Sequence, residues 1–317
     1  MRFVLKYAVA ILVLLLVLAV SGGGMKYVYR VMPFTTWHAK QGWKAEKFFD
    51  GPQVIALCKA IEANDLEEID RLIQAGADVN AKGKENMTPL LWSYPDNKLA
   101  RFEKLLEQGA DPNVKFEGRF GTNYLNPGDS VTHIAAKTKF EGHLAAVLKH
   151  GGDPNLKGWI ENLPLHLVIS YAPNKQERIR LLLEAGADID GLSGSDVTPV
   201  MKAISWGRQF SLALFLLENG ADPMARQKGN LQNCVEILVS NEMQTAKYWS
   251  PQQRTDFQKL EKWLVAQGIS VDDAREDLKR WRDWDRTHTV RHNRDTLGYR
   301  KRAERKAKEQ ADKDLMP

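Results

Sequence analysis

Cysteine is nearly absent. Cys58 and Cys234 are the only two in 317 residues. Neither belongs to a CxxC pair, and no Cys/His group has the spacing of a zinc site, so the fold is not built around a structural metal. Both thiols read as small buried core residues. The motifs G-x-S-x-G and H-E-x-x-H and a phosphate-binding loop are missing too. Gly22, Gly23 and Gly24 form a run, but it follows an apolar segment and does not precede a helix. An excess of one charge is also lacking. The net charge of +5 is too mild to argue for nucleic acid by itself. With 43% hydrophobic and 27% charged residues, the composition is that of a folded chain and excludes disorder throughout.

One long apolar run is present. Residues 8–20 read AVAILVLLLVLAV, preceded by Arg2 and Lys6 and followed by Ser21 and three glycines. A basic start, an apolar centre and small residues after it resemble an export signal, with Ala19, Val20 and Ser21 at a possible cleavage site. The uncharged stretch 7–25 is also 19 residues long, ~28 Å as a helix and close to one bilayer core. Residues 1–24 are therefore expected to be an apolar helix serving as a signal peptide or a transmembrane anchor. The body is then anchored at the inner membrane or exported to the periplasm. Lys26, Arg30, Lys40 and Lys44 weaken the charge argument for export.

The remainder repeats. A string G-A-D-x-N/D ends at Asn80 and returns, with variation, from Gly109, Gly151, Gly186 and Gly220, at steps of 33, 42, 35 and 34 residues. About twenty residues before these glycines stand Thr88-Pro89-Leu90-Leu91, Ser130-Val131-Thr132-His133, Leu163-Pro164-Leu165-His166 and Thr198-Pro199-Val200-Met201. Between the strings, apolar residues recur at helical spacing, as in Ile69, Leu72, Ile73 and Ile179, Leu182, Leu183. Each signature residue has a local reason. Thr or Ser can cap a helix, and Pro suits its first position. Gly ends the second helix in a left-handed conformation, and Asp and Asn favour the turn that follows. One such pair cannot bury its own apolar face, so neighbours must stack.

Five co-registered strings of this kind resemble the ankyrin repeat family over residues 51–270. The fold expected is all-α: an ankyrin-repeat solenoid of about six helix pairs, preceded by the N-terminal apolar helix. The sixth pair is divergent and is broken at Ser250-Pro251. Residues 25–50 form an aromatic and basic connector, part of which is expected to pack on the first repeat. Residues 271–317 are expected to be a helix, with Leu278, Trp281 and Trp284 docking on the last repeat, and then a basic tail with eight basic and two acidic residues over 291–308.

Chemistry is hard to place on this frame. The resemblance implies that His133 and His166 tie adjacent turns together by hydrogen bonds. One repeat apart, at ~8–10 Å between stacked helices, they are too distant to share a zinc at ~2 Å each. Cys58 and Cys234 lie five steps apart, about 40–50 Å on the same spacing, whereas a disulfide needs Cα atoms within ~7 Å. No catalytic residue, metal or cofactor is expected, and the chain reads as a non-enzyme.

A monomer that binds another protein through the concave ankyrin face is the reading that remains. Hot spots favour Trp, Tyr and Arg, which points to Trp92, Tyr94, Trp159, Trp206 and Arg208. To these the long insertion between Asn113 and Ser130 adds Phe116, Arg119, Phe120 and Tyr124. The whole arrangement resembles the ankyrin immunity proteins paired with lipase toxins of type VI secretion. That resemblance implies a bacterial envelope protein that neutralises a secreted toxin enzyme. Three alternatives stand beside it: an envelope scaffold supporting a periplasmic enzyme, a membrane-tethered enzyme with an unrecognised site, and a nucleic-acid binder using the basic tail.

Overall fold

The computed structural model describes residues 36–118, 126–227 and 232–287, with side chains to residue 281. The apolar run, the residues 25–35 of the connector, the tail 288–317 and Trp284's side chain lie outside the described residues. Among the described residues there is no strand, and no helix is long and apolar enough to cross a membrane. The chain forms two compact units, one of residues 1–118 with 149–151 and one of residues 119–148 with 152–317.

In the first unit, α1 (Trp37–Lys40) precedes two helix pairs. These are α2 (Pro52–Ala63) with α3 (Leu66–Gln74), and α4 (Pro89–Ser93) with α5 (Leu99–Glu107). The second unit holds α6 (Val131–Lys137) with α7 (His143–Lys149), whose last residue clusters with the first unit. It continues with α8 (Pro164–Tyr171) and α9 (Lys175–Glu184), then α10 (Pro199–Ser205) and α11 (Phe210–Glu218). Two longer helices, α12 (Cys234–Thr245) and α13 (Pro251–Ala266), and α14 (Val271–Thr287) complete it.

The helix starts follow the expected chemistry. Oγ1 of Thr88 accepts the Leu91 N–H at 3.2 Å, and Oγ1 of Thr198 accepts that of Met201 at 3.3 Å. Pro89, Pro164 and Pro199 sit where a helix needs no N–H. Ser250 caps α13 and Gln253 bonds back to it, closing a capping box. Gly186 and Gly220, with φ of 86° and 99°, end α9 and α11 in the left-handed region, where a Cβ is strained.

The turn after each glycine carries the bond to the next repeat. Oδ1 of Asp153 accepts the Asn155 N–H at 2.7 Å, an Asx turn. Asn155 then spans the gap. Its Nδ2 donates to Gly186 O at 2.8 Å, and its Oδ1 accepts the Asp188 N–H at 2.7 Å. Asn80 repeats the pair with Gly109 O and Asp111 N–H at 2.8 and 2.7 Å. At the next such position the chain has Asp190, which accepts the Asp222 N–H at 3.1 Å but has no donor to offer. Burial, with Asp222 and Asp188 nearby, holds its carboxyl above the ordinary value.

Buried arginines do similar work at the helix ends. Arg101, fully buried on α5, donates to Ile61 O at 2.7 Å and Ser93 O at 2.8 Å and pairs with Asp96. Arg178 on α9 donates to Ala135 O at 2.8 Å and Phe140 O at 3.1 Å. These carbonyls lie at or just past inner-helix ends, where helical N–H partners run short; Ile61 O also accepts the Asn64 N–H at 3.0 Å. Cys58 and Cys234 are both free and buried, and burial pushes the Cys234 thiol up to about 12.

An aromatic cluster closes the start of the first unit. The His38 ring stacks on Trp92 with centroids 4.6 Å apart, and its Nε2 donates to Trp92 O at 2.8 Å. Trp43, Phe48 and Phe49 bring their rings to 5.5, 5.2 and 6.1 Å from Trp92. Residues 36–50 thus pack on the repeats. This corrects the expected place of Trp92, which has no exposed surface because the connector's aromatics cover it. Tyr94 is corrected likewise: it is buried, with its ring 5.7 Å from that of Phe102. Phe116 is also core, since the neighbouring Glu117 N–H bonds to Glu85 O at 2.9 Å and draws the segment inward.

At the end of the second unit Arg275 ties α14 to the two preceding helices, and Val271 at its start is buried. The Arg275 guanidinium meets Glu242 of α12 at 2.8 Å and Glu261 of α13 at 2.6 Å. Leu278 and Trp281 are half-buried beside a cleft of about 320 Å³.

Asp190→Asn restores the missing donor opposite the next glycine and removes a partly buried charge. It should stabilise the fold by ~0.5–1.5 kcal/mol at pH 7, the net worth of one hydrogen bond. The gain should shrink on acidification, because the folded wild type holds the Asp190 proton more tightly than the unfolded chain. Urea unfolding of both proteins at pH 7 and pH 4.5 measures it.

Candidate functional site

The repeats of α8 and α10 each begin with a finger, a tight turn closed by its own backbone. Gly158 N–H bonds to Asn162 O at 2.9 Å, and Ser193 N–H bonds to Val197 O at 3.2 Å. Under each of these fingers lies a histidine from the inner helix of the preceding repeat, His133 of α6 and His166 of α8. In His133, Nδ1 accepts the Ser130 N–H at 3.1 Å, so Nε2 carries the proton and donates to Leu156 O at 2.8 Å. Nε2 of His166 donates to Val197 O at 2.9 Å. Burial lowers both pKa values, that of His166 to about 4. These rings are positioning groups buried under the fingers, held by backbone on one or both nitrogens.

A buried ion pair supports the first of these fingers. Lys137 Nζ meets Asp129 Oδ2 at 2.8 Å, with both side chains almost wholly buried. The other carboxylate oxygen, Oδ1, accepts the Trp159 N–H at 2.9 Å. The tip is thereby fixed from below. Its next two residues, Ile160 and Glu161, have φ of 48° and 55°. That conformation suits a hairpin turn but is costly for a β-branched residue. At this tip Trp159 is 42% and Ile160 58% exposed. Between it and the adjacent finger lies a cleft of about 420 Å³, lined by Lys157, Ile160 and Glu161 on one side and residues 192–196 on the other.

The inner helices end on a second exposed edge. Trp206 is the C-cap of α10, and Arg208 lies beyond it with φ of 54°. The helix α10 stops at Ser205, and Gly207 and Arg208 beyond it have φ in the left-handed region. Trp206 is 52% exposed, and Arg208 Nε donates to Thr245 Oγ1 at 3.2 Å. Of the expected contact residues, Trp159, Trp206 and Arg208 reach the surface, on two different edges of the second unit. Arg119, Phe120 and Tyr124 lie outside the described residues. Ile160, Tyr171 and Tyr248 are exposed apolar groups that the sequence reading passed over; Tyr171 stands eight residues after its helix cap, the same offset as Trp206. Among the described residues no group of three His, Cys, Asp or Glu side chains could hold a metal ion.

Residues 132–227 match the family model for ankyrin repeats, in three copies. The fold is the ankyrin-repeat fold. The crystal structure of the ankyrin repeat domain of Bcl-3, described as a unique member of the IkappaB protein family, superposes with a TM-score of 0.53. That match covers 68% of this chain and 86% of the other at 22% identity, which carries the fold alone. The human mitochondrial disaggregase is 41% identical over 59 residues, 19% of this chain and 8% of that protein. The bovine mitochondrial disaggregase is 39% identical over 78 residues, 25% of this chain and 11% of that protein. The chain thus spans only a small part of the curated relatives it matches.

Burial lowers His38 and His166 alike to about 4. As pH falls from about 6.5 towards 4, the unfolded chain takes up protons that the folded chain refuses, so stability is lost in that window. Each histidine should cost ~2 kcal/mol at pH 5 relative to pH 7. Chemical denaturation at the two pH values should show the loss, and the loss should be smaller by ~2 kcal/mol in His166→Gln.

Proposed function

We propose that this protein is a non-catalytic scaffold that holds another protein, with the finger tip at Trp159 and Ile160 as the anchor. One observation carries the reading: two large apolar side chains stand in water on a left-handed turn that a buried ion pair holds in place. Strain kept at an exposed tip points to a task outside the fold. A rigid tryptophan loses little freedom on binding, and tryptophan is the residue most enriched where binding energy concentrates. Ankyrin repeats generally mediate protein–protein binding, which supports the same reading. A match over about a tenth of the mitochondrial disaggregases brings none of their activity to this chain.

The setting we propose is the bacterial envelope, with the protein anchored at the inner membrane or exported through its apolar residues 8–20. There it works as a monomer, and the partner is a secreted toxin enzyme that it neutralises. Support comes from the sequence alone: a signal-like start, divergent repeats and a charged end.

The experiment is co-purification with the product of the adjacent gene, comparing wild type with Trp159→Ala/Ile160→Ala. Retention should drop more than tenfold with the thermal midpoint unchanged. Retention that survives both substitutions removes the finger tip as the anchor. An immunity role fails separately if deleting the gene leaves the cell no more sensitive to that neighbouring protein. In Asp129→Ala, whose ion pair fixes the tip, retention should fall less than in the double variant, and amide exchange at residues 158–162 should quicken.

A further inference from the structure

Seven large apolar side chains stand exposed among the described residues. Three of them mark one edge of the second unit, in the turns that follow consecutive inner helices. Tyr171 ends α8, Trp206 caps α10 and Tyr248 follows α12, and they are 61%, 52% and 70% exposed. The turns 171–175, 205–209 and 245–250 contain no Asp or Glu.

Side chains lock these turns to one another. Gln209 Nε2 donates to Trp206 O in its own turn at 2.6 Å and to Ile169 O of the preceding helix at 3.2 Å. Lys175 Nζ bonds to the same Ile169 O at 2.6 Å and to Gln209 Oε1. On the other side Arg208 reaches Thr245, and Thr245 also accepts the indole N–H of Trp249 at 2.8 Å. The edge is a fixed platform, so little conformational freedom remains to be lost on binding.

Its charge is one-sided. Lys202 Nζ lies 5.8 Å from the Trp206 ring centroid, and Lys247 Nζ lies 4.8 Å from that of Tyr248. Arg208 and Arg254 donate to a hydroxyl and a carbonyl. None of these four cations pairs with a carboxylate among the described residues. The nearby Glu242 is taken up by Arg275, and Glu177 stands exposed in the first turn of α9. Burial lowers the pKa of Lys202, and no anion offsets it.

We infer that this edge docks an extended acidic segment of a partner protein. Its carboxylates meet Lys202, Arg208 and Lys247, and its apolar side chains lie on Tyr171, Trp206 and Tyr248. Inner helices stack at ~8–10 Å, and an extended chain rises ~3.3 Å per residue. An acid at about every third residue therefore keeps step with the repeats. The chain's own tail 291–308, with eight basic residues against two acidic, has the wrong sign to fill the edge. Single-stranded nucleic acid also uses cations and rings, but it needs a continuous cationic track, and here Lys202 and Lys247 sit over rings while Arg208 and Arg254 are held by a hydroxyl and a carbonyl. The inference rests on the protein-binding reading above and adds a second surface with a stated partner chemistry.

The test is selection of a random dodecapeptide phage library on the full chain in detergent micelles, followed by fluorescence titration of the enriched peptides. Expected are acidic sequences that bind more than tenfold more weakly to Lys202→Glu/Lys247→Glu and to Trp206→Ala/Tyr248→Ala. The same peptides should bind unchanged to Trp159→Ala/Ile160→Ala. Lys202 is half-buried and the other substituted side chains are exposed, and melting curves confirm folding. Enrichment of non-acidic peptides, or peptides lost only with the finger variant, overturns the docking edge and leaves the finger reading standing. Selection of no peptide, or tighter binding of a labelled twenty-nucleotide oligothymidine than of any acidic peptide, overturns it as well.

Discussion

Helix ends leave carbonyl oxygens that their own segment cannot satisfy, and in this protein a neighbouring repeat satisfies them. Asn80 and Asn155 cover Gly109 O and Gly186 O, the carbonyls that follow an outer helix. Arg101 covers Ile61 O, Arg178 covers Ala135 O and Gln209 covers Ile169 O, all at the ends of inner helices; Lys175, of the same repeat as Ile169, bonds there too. A buried carbonyl left bare costs ~1–3 kcal/mol. Each helix pair therefore depends on the next for polar satisfaction as well as for burial of its apolar face. The rest follows from that dependence: repeats keep register because a one-residue slip breaks these bonds, and the turns that carry them become rigid.

What could be read from the sequence divides along the same line. The G-A-D-x-N string was legible because each of its residues answers a local backbone need: a left-handed glycine, an Asx turn and an amide with two functions. Thr88 and Thr198, each followed by proline, were legible as helix starts for the same reason, and Ser250-Pro251 as the break between the helices of the sixth pair. Trp92 was not placed correctly. Its position after a helix start marks a face, but the pattern does not say what covers that face, and His38, Trp43, Phe48 and Phe49 cover it from more than forty residues away. Arg101 and Arg178 escaped notice because charge on an outer helix normally means solvent. Ile160 escaped because turn chemistry expects Asn or Gly where the chain turns left-handed, and the structure puts isoleucine there with φ of 48°.

The finger at Trp159 shows how strain and support combine. A left-handed isoleucine costs roughly 1–2 kcal/mol, and exposing it gives up apolar burial as well. A buried ion pair is also weak as a source of stability, since desolvation offsets much of its attraction. Neither feature is what a chain selected only to stay folded would keep. Together they place two apolar side chains in water on a turn whose backbone N–H is pinned by Asp129. The buried histidines under the fingers serve the same end, because each spends its Nε2 proton on the turn of the next repeat.

Finger tips and turn edge sit at the two ends of the same inner helices. The helix α8 is eight residues long, ~12 Å along the axis. A standard protein interface covers ~800 Å² on each partner, so a single partner is large enough to touch both. The two ends offer different chemistry. The fingers pair Lys157 with Glu161 and present bare apolar surface, which favours affinity without a preferred charge. The turn edge carries cations without acids, which steers an acidic partner during encounter and fixes its register more than it adds to affinity. On the proposed reading one surface anchors and the other orients. Because both are mounted on the same short helices, the relative placement of the two contacts is set by the fold before any partner arrives.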